Sequence, residues 1–140
     1  FVDLCAGSGA IGLEAASRGA SSVYLNEMNG KVFQVLKSNV QDFQKRCETK
    51  EIKTSKMSFD KFLKSYQIQD NSFLFFDPPY EKQDLYLQFL DIIKSINAPI
   101  KVAVEFCRQK TMPCEKMEEY FGKPERSYQQ GTSFLYIYDL

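Results

Sequence analysis

Short apolar runs alternate with longer segments of helical spacing, and the two rhythms divide the chain into seven predicted strands and five predicted helices. Phe1-Val2-Asp3-Leu4 reads as the end of a first strand. A helical pattern follows to about Arg18 and is closed by Gly19. Ser22 to Asn26 is a second strand. From about Asn29 a helix extends to roughly Arg46, with Val32, Val35, Leu36, Val40 and Phe43 near helical spacing. Residues 51–57 hold a third strand, and Phe59 to Tyr66 a short helix with Phe62 and Leu63 inward. Residues 72–77, built on Phe73-Leu74-Phe75-Phe76, form a fourth. Gln83 to Ile96 is helical, with Leu85, Phe89, Leu90, Ile92 and Ile93 as its apolar face; Pro99 then breaks the chain. Ile100 to Phe106 is a mostly apolar strand, as expected of a central one. A loop from Met112 leads into a short helix near Tyr120, ended by Gly122. Arg126–Gln129 and Ser133–Tyr138 are two strands around a Gln130-Gly131 turn.

Strands alternating with helices predict an α/β fold with a doubly wound, mostly parallel sheet, and the closing hairpin supplies an antiparallel edge. No repeat, linker or low-complexity segment interrupts the pattern, so residues 1–140 are expected to be a single domain. The chain opens on Phe1, inside a strand and without Met, and an amino-terminal segment is expected to be missing.

Composition narrows the function classes. Hydrophobic residues make up 44%, too many for a disordered chain. No apolar run approaches membrane-spanning length, so no membrane partner is expected. There is no histidine, which removes the usual general base and every Ser-His triad. Cys5, Cys47, Cys107 and Cys114 have no CxxC spacing, so no metal site is expected, and reduced thiols in the cytoplasm are the better reading. Formal charge is zero, against nonspecific nucleic-acid binding. The distribution is uneven: residues 31–66 carry nine Lys/Arg against four Asp/Glu, and residues 67–99 two against five. The basic stretch reads as the solvated face of helices.

Three features fall at predicted carboxyl ends of strands, where open α/β sheets bind ligands. Gly7, Gly9 and Gly12 have G-x-G-x-x-G spacing between a strand and a helix. Glycine there lets the backbone approach a ligand, beside the free N–H groups of a helix start. Glu27 lies 20 positions after Gly7, as a ribose-binding carboxylate requires. Asp77-Pro78-Pro79-Tyr80 ends the fourth strand, because consecutive prolines cannot donate ladder hydrogen bonds. The result is a rigid extended corner with a carboxylate on one side and an aromatic ring on the other.

In this order the features resemble the class I S-adenosylmethionine-dependent methyltransferases. Residues 3–20 (DLCAGSGAIGLEAASRGA), DPPY at 77–80 and the ending YFGKPERSYQQGTSFLYIY at 120–138 resemble the RsmD-type 16S ribosomal RNA guanine-N2 methyltransferases. The resemblance implies S-adenosylmethionine as cofactor and S-adenosylhomocysteine as product. It implies 16S rRNA or a small-subunit assembly intermediate as partner, and a monomer. Asp3, Gly7, Ser8 and Gly9 would hold the methionine end, and Glu27 the ribose hydroxyls. Ser58 and Phe59 stand at the adenine-contact position; the family's usual acidic residue is not there, and Asp60 lies two further on. Asp77 and the Pro78 carbonyl would accept from the target amine. Tyr80 would stack on the flipped base by its ring face, leaving its hydroxyl dispensable.

Two acceptors aimed at an exocyclic amine favour a pyramidal, nucleophilic nitrogen, and a sulfonium donor needs no protein nucleophile. Three other readings remain. An adenine-N6 methyltransferase on DNA or RNA uses the same Asp-Pro-Pro-Tyr logic. An NAD-binding oxidoreductase explains the glycines and Glu27 but not residues 77–80. A noncatalytic RNA-binding domain would have no need of Asp77 through Tyr80.

Overall fold

The computed structural model describes residues 1–47 and 51–140. Its elements follow the predicted order: β1 (Val2–Asp3), α1 (Ala10–Ser17), β2 (Ser22–Asn26), α2 (Gly30–Arg46), β3 (Glu51–Ser55), α3 (Phe59–Ser65), β4 (Phe73–Phe76), α4 (Gln83–Lys94), β5 (Lys101–Cys107), α5 (Cys114–Phe121), β6 (Arg126–Gln130) and β7 (Ser133–Asp139). They form two compact units, Phe1–Tyr66 and Gln67–Leu140.

In the first unit β2 pairs in parallel with β1 and with β3. Asn29 caps α2, its side chain accepting from the N–H groups of Lys31 and Val32, which would otherwise lack partners. Leu36 and Val40 turn inward and join Ala16, Val23 and Leu25 in one apolar cluster. Val35, expected on that face, is half exposed, because a narrow stripe suffices to cover one side of three strands. The lysines of α2 point outward, as the charge pattern predicts.

The amide of Asn26, unremarked in the sequence, organises the end of this sheet. The side chain is buried and satisfied at every site. Its Nδ2 donates to the Leu4 carbonyl (3.1 Å) and the Met57 carbonyl (3.0 Å), and its Oδ1 accepts from the Ser55 hydroxyl (2.7 Å). Because Met57 turns its carbonyl to this side chain, the β3 ladder stops at Ser55 instead of running to Met57.

In the second unit β4 and β5 are parallel, β5 pairs antiparallel with β7, and β7 with β6. Hydrogen-bonded on both sides, β5 is internal, as its apolar run predicts. Helix α4 packs Phe89 flat against Phe76, with centroids 4.0 Å apart, and sets Tyr86 edge-on to the same ring. Tyr86 is buried although the predicted apolar face did not include it. The hairpin turn lies at Gly131-Thr132, one residue later than expected. Gln130 pairs with Ser133, so the loop has two residues, and Gly131 takes the positive φ of 61° that such loops demand at their first position. Helix α5 starts only at Cys114, since Met112 and Pro113 form the loop before it.

Replacing Asn26 by leucine keeps the volume but strands the buried Leu4 carbonyl and the half-buried Met57 carbonyl and Ser55 hydroxyl. Asn26→Leu is expected to lower stability by roughly 2–5 kcal/mol in urea denaturation. A loss under about 1 kcal/mol would mean that these groups find other partners.

Candidate functional site

The glycine loop stands between β1 and α1. After β1 the Ala6 N–H still follows the sheet, donating to the Asn26 carbonyl at 2.8 Å. The chain then turns through Gly7 (φ 55°) and Gly9 (φ 88°), left-handed conformations that favour glycine. The two glycines do different work. A β-carbon at Gly9 would lie 2.5 Å from Cδ1 of the fully buried Leu36. Gly9 therefore answers to helix packing, whatever it also does for a ligand. Gly12 is similar, its missing β-carbon falling 2.1 Å from Leu25. A β-carbon at Gly7 would meet nothing within 4 Å, so open space for a ligand lies beside that residue.

Glu27 binds this loop directly. Its Oε2 accepts from the Gly7 N–H at 3.0 Å and its Oε1 from the Asn29 N–H at 2.6 Å. The carboxylate thus joins the loop to the α2 cap, and each oxygen retains acceptor capacity. Ser8 is exposed, and its carbonyl accepts from Asn39 Nδ2 at 2.9 Å. Asp3 is buried, with Oδ1 accepting from the Cys5 N–H at 3.3 Å. Ser58 precedes α3, and its hydroxyl hydrogen-bonds the Asp60 carboxylate, holding that group below the usual carboxylate range. Phe59 is buried. The first unit therefore gathers Gly7 and Glu27 in direct contact. Asn26 fixes the chain after β1 and after β3, the segments that carry Asp3 and Ser58.

The second unit carries the Asp77-Pro78-Pro79-Tyr80 corner, and side chains from other elements hold its backbone. The Tyr86 hydroxyl donates to the Glu105 carbonyl (3.0 Å) and the Pro78 carbonyl (3.3 Å). The Thr111 hydroxyl donates to the Tyr80 carbonyl at 3.0 Å and accepts from the Cys107 N–H at 3.2 Å. Pro78, proposed as an amine acceptor, thus has one lone pair engaged and a second left over.

Glu105 on β5 was missed in the sequence, where it is the single acidic residue of a mostly apolar strand. Its Oε1 accepts from the Tyr80 hydroxyl at 2.8 Å, and Ser133 Oγ lies 3.4 Å from that hydroxyl. The Tyr80 hydroxyl is therefore not idle, contrary to the expectation that only its ring face matters. Burial pushes the phenol up to about 12, with Glu105 adding to the shift and Ser133 opposing it. Burial likewise raises Asp77 to about 7, and the charge of Glu105 raises it further. Near neutrality Asp77 is poised between acid and carboxylate.

Beside this corner a cavity of about 430 Å³ is lined by Glu105, by Tyr128 to Gln130 on β6 and by Ser133 to Leu135 on β7. The strand register explains the wall. Glu105 pairs with Leu135 and Leu135 with Tyr128, so the three share one face, next to the row Cys107, Ser133 and Gln130. Among the described residues no three His, Cys, Asp or Glu are placed to hold a metal ion, and no helix is long and apolar enough to cross a membrane.

The model of the family described as Conserved hypothetical protein 95 matches residues 1–138. The chain belongs to that family, the RsmD type within the class I S-adenosylmethionine-dependent methyltransferases. A Bacillus subtilis relative, named "Putative rRNA methyltransferase YlbH", is 28% identical over 116 residues. Those residues are 80% of this chain and 61% of the relative, so the chain spans under two thirds of that protein. A Haemophilus influenzae protein named as a "putative methylase" superposes with a TM-score of 0.71 at 26% identity, over 99% of this chain and 84% of that one. TrmK of M. capricolum, solved with the natural cofactor product S-adenosylhomocysteine, has a TM-score of 0.68 at 14% identity, over 99% of this chain and 60% of its own. The fold is thus the doubly wound α/β type of this superfamily, with its antiparallel closing hairpin.

Two outcomes follow. Gly9→Val should unfold or strongly destabilise the protein, whereas Gly7→Ala should fold with a loss of about 1–2 kcal/mol from its positive φ, read by thermal melting. Equal melting temperatures for the two variants would refute this division of roles. The native state also binds the Asp77 proton more tightly than the unfolded chain, whose carboxyl ionises near 3.8. Stability is lost as pH rises from about 4 through 7 on this account. Asp77→Asn should therefore melt higher than the parent protein at pH 8, with the gain shrinking toward pH 4.

Proposed function

We propose that the chain is a single methyltransferase domain that methylates the exocyclic amine of a guanine in 16S rRNA, using S-adenosylmethionine and releasing S-adenosylhomocysteine. The observation that carries the reading is the corner at the end of β4. A carboxylate, a carbonyl with one lone pair left over and an aromatic ring follow one another there along a backbone that Tyr86 and Thr111 hold in place. A nucleobase amine offers two N–H donors and a flat face, which is the complement of that set.

The cofactor supplies a methyl group already activated on sulfonium. The residues of the first unit fit it: open space beside Gly7, acceptor capacity on Glu27 for ribose hydroxyls, and Asp3, Ser8 and Gly9 around the methionine end. Ser58 and Phe59 would contact the adenine. Asp77 as carboxylate and the Pro78 carbonyl accept from the target amine, which sharpens the nitrogen lone pair as positive charge develops. As the N–CH3 bond forms and the sulfur–methyl bond breaks, the surplus amine proton passes to Asp77. Tyr80 stacks on the flipped base and offsets part of the stacking lost from the RNA. The family relationship favours rRNA over DNA as partner, either 16S rRNA or a small-subunit assembly intermediate. The protein works in the cytoplasm, as a monomer.

The test is single-turnover methyl transfer to small-subunit RNA, run beside cofactor calorimetry. Asp77→Asn should cut the rate by roughly 10²-fold or more with cofactor affinity retained. Tyr80→Ala should lose about 1–3 kcal/mol in capture of the base. With the parent protein, kcat/KM should rise with pH to a plateau, with a midpoint near the Asp77 value of about 7. Full activity in a folded Asp77→Asn protein, or a flat pH profile, would overturn the mechanism.

A further inference from the structure

Glu105 is placed for more than supporting Tyr80. One carboxylate oxygen takes the Tyr80 hydroxyl at 2.8 Å. The other has no protein donor among the described residues, and the side chain forms part of the cavity wall beside the corner. Its backbone is pinned as well, because Tyr86 bonds the Glu105 carbonyl and the Pro78 carbonyl with one hydroxyl. Strand β5 is hydrogen-bonded on both sides, so Glu105 and the corner keep a fixed separation. A carboxylate held this way, half withdrawn from water with one oxygen uncommitted, is an acceptor waiting for a donor.

We propose that Glu105 is the specificity-determining acceptor of the target base, reading the ring N1–H of guanine while Asp77 and Pro78 take the exocyclic amine. This inference rests on the proposed methylation of a nucleobase amine. The chemistry of the base edges is the deciding step. The Watson–Crick edge of guanine presents the N1–H and the N2 amine as adjacent donors. Adenine presents one amine beside a ring nitrogen that is itself an acceptor. An acceptor beside an acceptor matches the first and opposes the second. A site built to bond an N–H also discriminates sharply against an analogue lacking it, because the buried acceptor is then left unpaired. The raised pKa of Asp77, set first by burial and then by the charge of Glu105, agrees with a second carboxylate lying close to the corner. The residues of β6 and β7 in the same cavity, Gln129 and Gln130 among them, have amides able to meet the remaining polar edge of the purine.

The experiment uses the full-length protein and small-subunit RNA whose methylated position has first been mapped by nucleoside mass spectrometry. No methylated nucleobase amine at all would overturn the proposed function itself, whereas methylation at an adenine would leave amine methylation standing and overturn the guanine reading together with the role of Glu105. Methylation at a guanine with no effect of Glu105 on base preference would overturn the Glu105 inference alone. RNAs are then assembled by ligation with either guanine or 2-aminopurine at the mapped position. The analogue keeps the N2 amine but has a bare N1. The parent protein should favour guanine over 2-aminopurine by roughly 10²-fold or more in kcat/KM. Glu105→Gln, whose amide can donate to the bare nitrogen, should lower the guanine rate and leave the 2-aminopurine rate equal or higher, collapsing the preference. Tyr80→Phe removes only the hydroxyl that Glu105 holds, and it should slow both RNAs by the same factor. A Glu105→Gln protein that melts normally yet loses the same factor on both RNAs would show that Glu105 acts only through Tyr80. Should Glu105→Gln fail to fold, Glu105→Asp, which keeps the charge but withdraws it, should weaken the preference; an unchanged preference would overturn the proposal.

Discussion

Where parallel strands stop together, backbone groups at their ends lose their ladder partners, and a buried side chain must replace them. Asn26 does this in the first unit. A single amide, closed off from water, satisfies a carbonyl after β1, another after β3 and a hydroxyl at the end of β3. The cost of leaving such groups unpaired makes the arrangement specific. The glycine loop and the start of α3 leave from these tethered points. Tyr86 has the same task in the second unit, using one hydroxyl to link the Pro78 carbonyl after β4 with the Glu105 carbonyl of β5.

Charge at the corner runs against stability. Asp77 is sheltered from water beside a second carboxylate, and among the described residues no hydrogen bond or cation offsets that position. A fold selected for stability alone would place an amide there. Retention of an acid at this point is the kind of local conflict that functional sites carry. The surrounding packing tolerates it because Phe76, Phe89 and Tyr86 lock the adjoining strand and helix.

Much of this was legible in the sequence. The order of elements was, because alternating runs and helical spacing report which face of each element is buried. The Asp77–Tyr80 corner was legible because two prolines leave the backbone few options. The glycine spacing found the loop, but not the reason for each glycine. Gly9 and Gly12 answer to Leu36 and Leu25, partners distant in sequence that no local pattern reveals. Asn26 and Tyr86 were hidden for a related cause. Their value lies in carbonyls that the fold brings to them, and in the sequence they are a polar residue ending a strand and an aromatic on a helix. Glu105 had one available signal, a carboxylate flanked by apolar residues inside a central strand, which is costly unless something uses it.

Glu27 has a kinetic consequence. Its carboxylate already spans the Gly7 and Asn29 amides, so the loop is ordered before any ligand arrives. The entropy of arranging that backbone is spent during folding and not during association. A ligand binding beside Gly7 would find these acceptors already in position. The selectivity of such a site would then rest on how long a bound ligand stays, and competitors would be sorted by their rates of departure.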